Sequence, residues 1–258
     1  MKTALITGAC INTGTAIVEK FASQGYRVIF TGRNPDNVMQ AQAGYRKTFP
    51  HVTGYVLNSL NEEGQADEQA VCDFFAQLDE QGIEIDTLVL NAADQGLGMD
   101  FLTGELSDFT RVLNTNVVWN YCLCRQAALR MKDTGGNIVF VNSNTAYRAI
   151  PDRTAYVTSK GAQLGMMRSL ALDLGKYGIR VNAVLPGMIK TDRWEKNPDF
   201  YKNVPSRYTP IGDVADGQDI ADAVFYFAAH ARNTTGAELT VDGGNTIQLY
   251  PIIPQQED

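Results

Sequence analysis

The sequence lacks a long apolar run, a surplus of positive charge and any cysteine spacing typical of a metal site. No segment approaches the ~18 apolar residues that span a bilayer, and the single Lys2 before a short apolar run is no signal-peptide pattern. The formal net charge of -7 excludes the basic surface that nucleic-acid phosphates require. The four cysteines predict reduced thiols and no bound metal. We therefore expect a cytoplasmic protein that binds neither nucleic acid nor membrane.

What the sequence does contain is a series of short β-branched runs that alternate with longer helix-like stretches. This alternation predicts a parallel sheet covered by helices on both faces. Right-handed crossovers make a doubly wound, Rossmann-type α/β sheet of about seven strands the simplest topology. With no internal repeat or linker, residues 1–258 are predicted as a single domain with a substrate loop at about 188–215 and a C-terminal tail at 246–258. The candidate strands are residues 4–6, 27–30, 53–57, 87–90, 137–141, 180–185 and 238–241.

A glycine-containing turn joins the first predicted strand to the first predicted helix. Residues 7–14 read Thr-Gly-Ala-Cys-Ile-Asn-Thr-Gly. Because glycine has no Cβ, the backbone N–H groups of such a turn approach a pyrophosphate closely, and the following helix N-terminus adds partial positive charge. Between Gly8 and Gly14, Asn12 is a residue that tolerates left-handed backbone geometry. The turn predicts a dinucleotide phosphate site, although a glycine at such a junction is as often only structural.

Tyr156 and Lys160 are four residues apart in a predicted helix, so both side chains point into one cleft. A phenol has a pKa of about 10, which makes it a poor base at neutral pH. A lysine cation within ~4–6 Å lowers such a pKa by roughly 1–3 units, toward the range where a general acid/base works best. We therefore expect the Lys160 charge to activate Tyr156. The alternative for such a common pair is a core tyrosine beside a solvated lysine.

Taken together, several segments resemble the short-chain dehydrogenase/reductase family over about residues 3–245. The family pattern TGxxxGxG is matched by the turn at residues 7–14, with Asn12 in place of its middle glycine. Residues 91–93 resemble the family's Asn-Ala-Gly element, with Ala93 in place of the glycine. Ser143 precedes Tyr156 by the family's thirteen residues, and residues 185–191 and 241–244 resemble the family's closing segments.

The resemblance implies which residues act on substrate and cofactor. Ser143 would polarise the carbonyl group, and Asn116 aligns with a residue that in relatives holds a water linking the lysine to solvent. Asn114 is a competing alignment for that position. The implied catalytic residues are Asn116, Ser143, Tyr156 and Lys160. The implied cofactor-binding residues are Gly8, Asn12, Thr13, Gly14, Arg33, Asn58, Asn91, Ala92, Tyr156, Lys160, Pro186, Gly187, Ile189 and Thr191.

The cofactor preference depends on the end of the second strand. A carboxylate there holds the adenosine ribose of NAD, whereas an arginine accommodates the 2′-phosphate of NADP. The position where relatives carry the acidic residue is Gly32, and Arg33 follows it. We expect NADP(H) as the preferred cofactor and NAD(H) as the alternative. Arg33 as a solvated loop residue stays open, because Ile11 stands where many NADP-binding relatives have a second basic residue.

The sequence thus predicts an oxidoreductase that transfers a hydride between NADP(H) and a secondary alcohol or ketone, with Tyr156 as general acid/base. The alternatives are an NADP-binding redox sensor without turnover and a halohydrin-dehalogenase-like lyase. The substrate loops, at about residues 94–101, 144–153 and 188–208, are partly apolar and carry arginines, so the substrate class stays open. Predicted helices at about 109–132 and 154–176 are the ones that relatives use to form a homodimer or homotetramer.

Overall fold

Seven parallel strands form one sheet in the part of the chain that the computed structural model describes, which is residues 1–191, 194, 196–202 and 204–251. The strand order is β3-β2-β1-β4-β5-β6-β7, which confirms the predicted Rossmann-type sheet. Each predicted strand is present, with bounds that differ by at most two residues. The strands are β1 Thr3–Ile6, β2 Arg27–Gly32, β3 Val52–Val56, β4 Thr87–Leu90, β5 Gly136–Val141, β6 Ile179–Pro186 and β7 Glu238–Val241.

The central strands β1 and β4 are buried along their whole length because both faces of the sheet are covered there. All four residues of β1 are buried. Since successive side chains of a strand point to opposite faces, Leu5 packs into one hydrophobic cluster, and Ala4 and Ile6 pack into the other. Burial on both faces turns a strand into a short continuous apolar run, the feature that made the strands visible in the sequence.

Helices on both sides of the sheet connect the strands. The predicted helix at about 109–132 is present as a continuous helical segment from Leu106 to Met131, and it contains a five-residue π-helical turn at Asn114–Val118. The predicted helix at 154–176 is confirmed within one residue. The helices are α1 Asn12–Ser23, α2 Pro35–Arg46, α3 Glu68–Glu80, α4 Leu106–Leu113, α5 Trp119–Met131, α6 Thr154–Gly175, α7 Pro198–Tyr201, α8 Val204–Tyr208 and α9 Gly217–Phe225.

The helix N-termini differ in how their free N–H groups are satisfied. The side chain of Asn34 accepts a bond at the start of α2, Asp67 does so for α3, and Asp216 forms a capping box on α9. Helix α1 begins after Ile11, which provides no side-chain cap. The first N–H groups of α1 are thus left for another partner.

The sheet places a crevice between β1 and β4. Ile6 of β1 pairs with Phe30 of β2 on one side and with Val89 of β4 on the other. The crossovers leave in opposite directions from these neighbours, and such a reversal opens a crevice outside the carboxyl ends of the strands.

None of the helices in the described residues has the length and apolar character of a membrane span. The described residues also contain no cluster of three His, Cys, Asp or Glu side chains able to hold a metal, and all four cysteines are free thiols. Of the predicted tail, residues 252–258 lie outside the described part, as does Arg193 of the third substrate loop.

Candidate active site

The glycine turn after β1 has no room for side chains at its two glycines. Gly8 has φ +63°, and a Cβ there would lie 2.7 Å from the Cα of Ala92. A Cβ at Gly14 would lie 2.6 Å from the Cα of Ala9 and 2.7 Å from the carbonyl oxygen of Gly8. The turn therefore lies tightly against the end of β4 and against the first turn of α1, with bare backbone toward the crevice.

Asn12 adopts a left-handed backbone conformation, to which the middle glycine of the family pattern is suited. Its φ is 51°, in the left-handed region that asparagine tolerates better than most residues. Ala93, the other departure from the pattern, does not have a positive φ. Neither substitution distorts the turn.

Thr7 and Asn91 tie the glycine turn to the end of β4. The Thr7 hydroxyl accepts bonds of 3.0 Å from the backbone N–H groups of Asn91 and Ala92. The Asn91 side-chain amide donates to the carbonyl oxygens of Thr7 and Gly8, at 3.1 and 3.0 Å. The side chain of Asn91, predicted to bind cofactor, thus holds the loop in place. Thr7, which the sequence marked only as a motif residue, is the centre of this network.

The end of β2 has an exposed cation and no space for an acidic side chain. Arg33 is exposed directly after β2. A Cβ at Gly32 would lie only 2.4 Å from the Cys10 sulfur and 2.8 Å from Val38 Cγ2. Asn58, near the end of β3, is also exposed. The volume that a carboxylate at position 32 needs is already filled by Cys10 of the glycine turn and Val38 of α2.

The segment after β6 folds across the ends of β6 and β7. Gly187 donates its N–H to the carbonyl oxygen of Val241, the last residue of β7, at 3.0 Å. A Cβ at Gly187 would lie 2.6 Å from Asp242 Cβ. Ile189 forms a β-bridge with Ala215. Pro186 ends β6, and the half-buried Thr191 follows this bridge by two residues.

Ser143 and Tyr156 come together at the end of β5. The Ser143 oxygen accepts from the backbone N–H and the hydroxyl of Thr145, at 3.2 and 2.9 Å. Ser143 therefore keeps its own proton for donation, and its hydroxyl lies near enough to Tyr156 to lower the pKa of the phenol. Thr145 was missed in the sequence, where only its position two residues after Ser143 marks it.

The pKa of Tyr156 is raised from its ordinary value, mainly because burial disfavours the phenolate. The nearby Ser143 hydroxyl and the charge of Arg153 act in the other direction. The residue as a whole is partly exposed, but its hydroxyl has packed surroundings. The expectation that the Lys160 charge sets a low phenol pKa is wrong for this structure. Lys160 Nζ lies 5.5 Å from the Tyr156 ring centroid, and desolvation outweighs charge.

Lys160 is among the most deeply buried side chains of the protein, with 2% of its surface exposed. Its Nζ donates to the carbonyl oxygen of Val141 at 3.1 Å and to Gln163 Oε1 at 3.3 Å. Both acceptors are neutral. Burial therefore lowers the pKa of the Lys160 amine to about 7.

Asn116 lies in the π-helical turn, where an extra residue rotates it toward α6. Its side chain bridges two elements: Oδ1 accepts from the Asp94 N–H at 2.7 Å, and Nδ2 donates to Ser159 Oγ at 2.9 Å. Asn114 instead donates to the carbonyl oxygen of Gly64, away from Tyr156. The geometry places Asn116, not Asn114, beside the Tyr156 helix.

The described parts of the substrate loops surround the crevice. Arg153 donates to the carbonyl oxygen of Gln95 at 2.8 Å, which joins the first loop to the second, and Arg148 donates to the carbonyl oxygen of Thr246. Both arginines are thus engaged by backbone oxygens. Large apolar side chains remain exposed on these loops: Leu97, Phe101, Tyr147 and Ile150. In the third loop, Trp194 stacks on Tyr201 with ring centroids 4.4 Å apart.

The fold and the Ser-Tyr-Lys arrangement define a class of nicotinamide-dependent oxidoreductases. A family model described as Enoyl-(Acyl carrier protein) reductase matches residues 8–246. The chain is 32% identical over 247 residues to a 3-oxoacyl-[acyl-carrier-protein] reductase FabG of Rickettsia bellii, covering 94% of this chain and 96% of the relative. It is 31% identical over 246 residues to a 3alpha-hydroxysteroid dehydrogenase of Mediterraneibacter gnavus, with the same coverage. This chain belongs to the short-chain dehydrogenase/reductase family, whose members oxidise CH–OH groups or reduce the corresponding carbonyl groups.

Solved structures agree with this assignment. A putative gluconate dehydrogenase from Agrobacterium tumefaciens superposes with a TM-score of 0.88 at 30% identity, over 96% of this chain and 97% of that one. ElxO with bound NADP has a TM-score of 0.86 at 26% identity, over 96% and 99%. A 4-hydroxyisoleucine dehydrogenase in complex with NADH has a TM-score of 0.85 at 28% identity, over 96% and 100%. A nicotinamide cofactor is therefore supported for the crevice.

Proposed function

We propose that this protein is an NADP(H)-dependent alcohol dehydrogenase or carbonyl reductase with Tyr156 as general acid/base. It acts on a small-molecule secondary alcohol or ketone, works in the cytoplasm as a homodimer or homotetramer, and forms a single NAD(P)-binding domain over residues 1–258. The observation that carries the proposal is the placement of Tyr156 near the Ser143 hydroxyl and 5.5 Å, from ring centroid to Nζ, from the buried Lys160 amine, which is bonded to the end of β5.

The residues around the crevice fit a dinucleotide. The turn packs so closely at Gly8 and Gly14 that neither position has room for a side chain, and only backbone is available there to phosphates. The uncapped start of α1 offers free N–H groups. The bound nicotinamide supplies or accepts the hydride. Residues 186–191 follow the crevice toward the nicotinamide end.

The protein's part of the chemistry is proton transfer and orientation. In the reducing direction Tyr156 donates its proton to the carbonyl oxygen, and Ser143, whose oxygen is held by Thr145, donates a hydrogen bond to the same atom. A raised phenol pKa keeps Tyr156 protonated and ready as an acid. Lys160, with its pKa lowered to about 7, exchanges a proton near neutral pH.

The preference for NADP(H) rests on residues of this chain, since the relatives bind either cofactor. Arg33 is an exposed cation at the position suited to a 2′-phosphate. Gly32 has no room for the competing carboxylate, because Cys10 and Val38 fill that space.

The test is NADPH and NADH oxidation with a panel of ketosteroids, keto-sugars, β-ketoacyl esters and simple ketones. Because the relatives named above are a 3-oxoacyl reductase, a hydroxysteroid dehydrogenase and a putative gluconate dehydrogenase, compounds of these three classes are tested first. We expect faster NADPH oxidation with one class, and a Tyr156→Phe variant that loses about 10²–10⁴-fold in turnover while cofactor affinity is kept. A preference for NADH contradicts the role of Arg33. Full cofactor binding without turnover on any substrate favours the sensor, and halide release from a halohydrin favours the lyase.

A further inference from the structure

The side chain of Gln163 lies in the middle of the buried groups that surround Lys160. It is on α6, three residues after Lys160, and only 2% of its surface is exposed. Its Nε2 donates to the carbonyl oxygen of Asn116 at 2.7 Å. Its Oε1 accepts from Lys160 Nζ at 3.3 Å and from Asn142 Nδ2 at 3.2 Å. One amide therefore joins the π-helical turn, the end of β5 and the lysine.

The orientation of this amide is determined by its partners. A carbonyl oxygen can only accept, so the Gln163 nitrogen faces Asn116 and the Gln163 oxygen faces the two donors. Asn142 is fixed in turn, because it also donates to the Lys160 carbonyl oxygen at 3.0 Å and accepts from the Ser143 N–H at 2.7 Å. The bridge is thus attached on one side to the catalytic serine and on the other to Asn116.

We propose that Gln163 is a positioning residue for Lys160: its amide connects the lysine amine to the Asn116 carbonyl, the link that the family resemblance assigns to a water. This inference rests on the proposed function. The Asn116 carbonyl oxygen already receives bonds from Gln163 and from Asn120 Nδ2, the latter at 2.9 Å. Two acceptors, Val141 and Gln163, then fix where the Lys160 amine points.

This geometry leaves a defined group for proton exchange. A neutral lysine amine has two N–H groups, and both have acceptors here, so its lone pair is the remaining group to take up a proton. As an ammonium it has three donors, and the third becomes available to the cleft. Gln163 therefore favours one orientation of the amine in both protonation states.

The charged and titratable groups around Lys160 are few. Tyr156 is the titratable group on the same helix, with Arg153 at the helix start acting on it. From the side of α4, Asp94 is bonded through its backbone to Asn116, and its carboxylate is paired with Arg111. The end of β5 contributes only neutral groups. The Gln163 oxygen is thus one of two direct acceptors of the Lys160 charge.

The experiment compares Gln163→Met, which keeps length but removes the acceptor, with Gln163→Glu, which keeps shape and adds charge. The readout is the pH profile of kcat/KM. Loss of a hydrogen bond to the charged amine lowers the apparent pKa of Lys160 by about one pH unit in Gln163→Met, and the added carboxylate raises it in Gln163→Glu. Asn182→Met is the control: this buried amide bonds Thr234 and Ala237, remote from the crevice, so it lowers stability without moving the profile.

A second measurement needs neither substrate nor cofactor. The pH dependence of the unfolding free energy, taken as the difference between a protein and its Lys160→Met counterpart, reports the Lys160 titration alone. We expect its midpoint to be lower in the Gln163→Met background than with Gln163. Equal midpoints, or profiles of both Gln163 variants that match the wild type, overturn the bridge. Absence of turnover on every substrate with a shifted midpoint contradicts the proposed function and leaves the bridge intact.

Discussion

Lys160 is a basic residue with neutral neighbours, and its surroundings determine its charge. Carbonyl and amide oxygens accept from its amine, while burial removes the water that would stabilise the ammonium. Tyr156 is subject to the same effect in the opposite direction on the pH scale, since burial opposes the phenolate. Near neutral pH the Tyr156 phenol is therefore protonated, while the Lys160 amine exchanges its proton.

The lowered pKa of Lys160 makes stability depend on pH. In the unfolded chain the amine titrates near 10.4, and in the folded protein at about 7. Between these values the unfolded chain binds the proton and the folded protein does not, so stability rises with pH, by roughly 1.4 kcal/mol per unit at most. Below pH 7 this contribution is flat. Urea unfolding at pH 6 to 9 should show the rise in the wild type relative to Lys160→Met; a constant difference contradicts it.

We expect the proposed cofactor preference to depend on single side chains as well. Gly32→Asp alone is expected to destabilise the protein without producing an NADH preference, because its Cβ meets the Cys10 sulfur at 2.4 Å. With Cys10→Ala and Val38→Ala added, both close contacts are removed, so that the carboxylate fits and repels the 2′-phosphate. The NADH-to-NADPH ratio of kcat/KM should then rise about tenfold, the effect of ~1.4 kcal/mol. Cys10→Ala with Val38→Ala, without the change at Gly32, is the matched control, and an unchanged ratio in the triple variant would contradict the argument.

At the scale of elements, the turn before α1 combines a strained residue with an uncapped helix start. Asn12 holds φ 51° where glycine has no steric cost. Asn12→Gly is therefore expected to keep or raise the melting temperature, and Asn12→Ala to lower stability by about 1 kcal/mol. Thermal unfolding checks both, with Asn58→Ala, an exposed asparagine without positive φ, as control. A stable Asn12→Ala would show that the turn adopts another conformation.

The π-helical turn at Asn114–Val118 sets the direction of the Asn116 side chain, which the sequence of the segment does not reveal. A regular α-helix through this segment would rotate Asn116 relative to α6 and separate it from Ser159 and Gln163. Apolar periodicity does not reveal such a turn, because one extra residue shifts the pattern by less than a third of a helical turn.

At the scale of the whole molecule, α5 and α6 carry exposed apolar side chains. Tyr121 and Leu129 of α5 are 53% and 51% exposed, and Leu172 of α6 is 85% exposed. Such side chains are suited to a symmetric contact between copies of the chain. Light scattering should give two or four times the monomer mass, and Leu172→Glu should reduce it, while Leu102→Glu, at a loop residue 89% exposed, should not. A monomeric wild type would contradict the proposed assembly.

The sequence by itself determined the strands, the Rossmann-type sheet that they form and the placement of Tyr156 and Lys160 on one helix face. These follow from local patterns, since strands buried on both faces are continuous apolar runs and residues four apart share a helix face. Only the tertiary structure decided the protonation of Tyr156 and Lys160, the Gln163 bridge and the contact of Cys10 with Gly32. Desolvation and close approach depend on which distant segments meet, and a linear pattern does not contain that information.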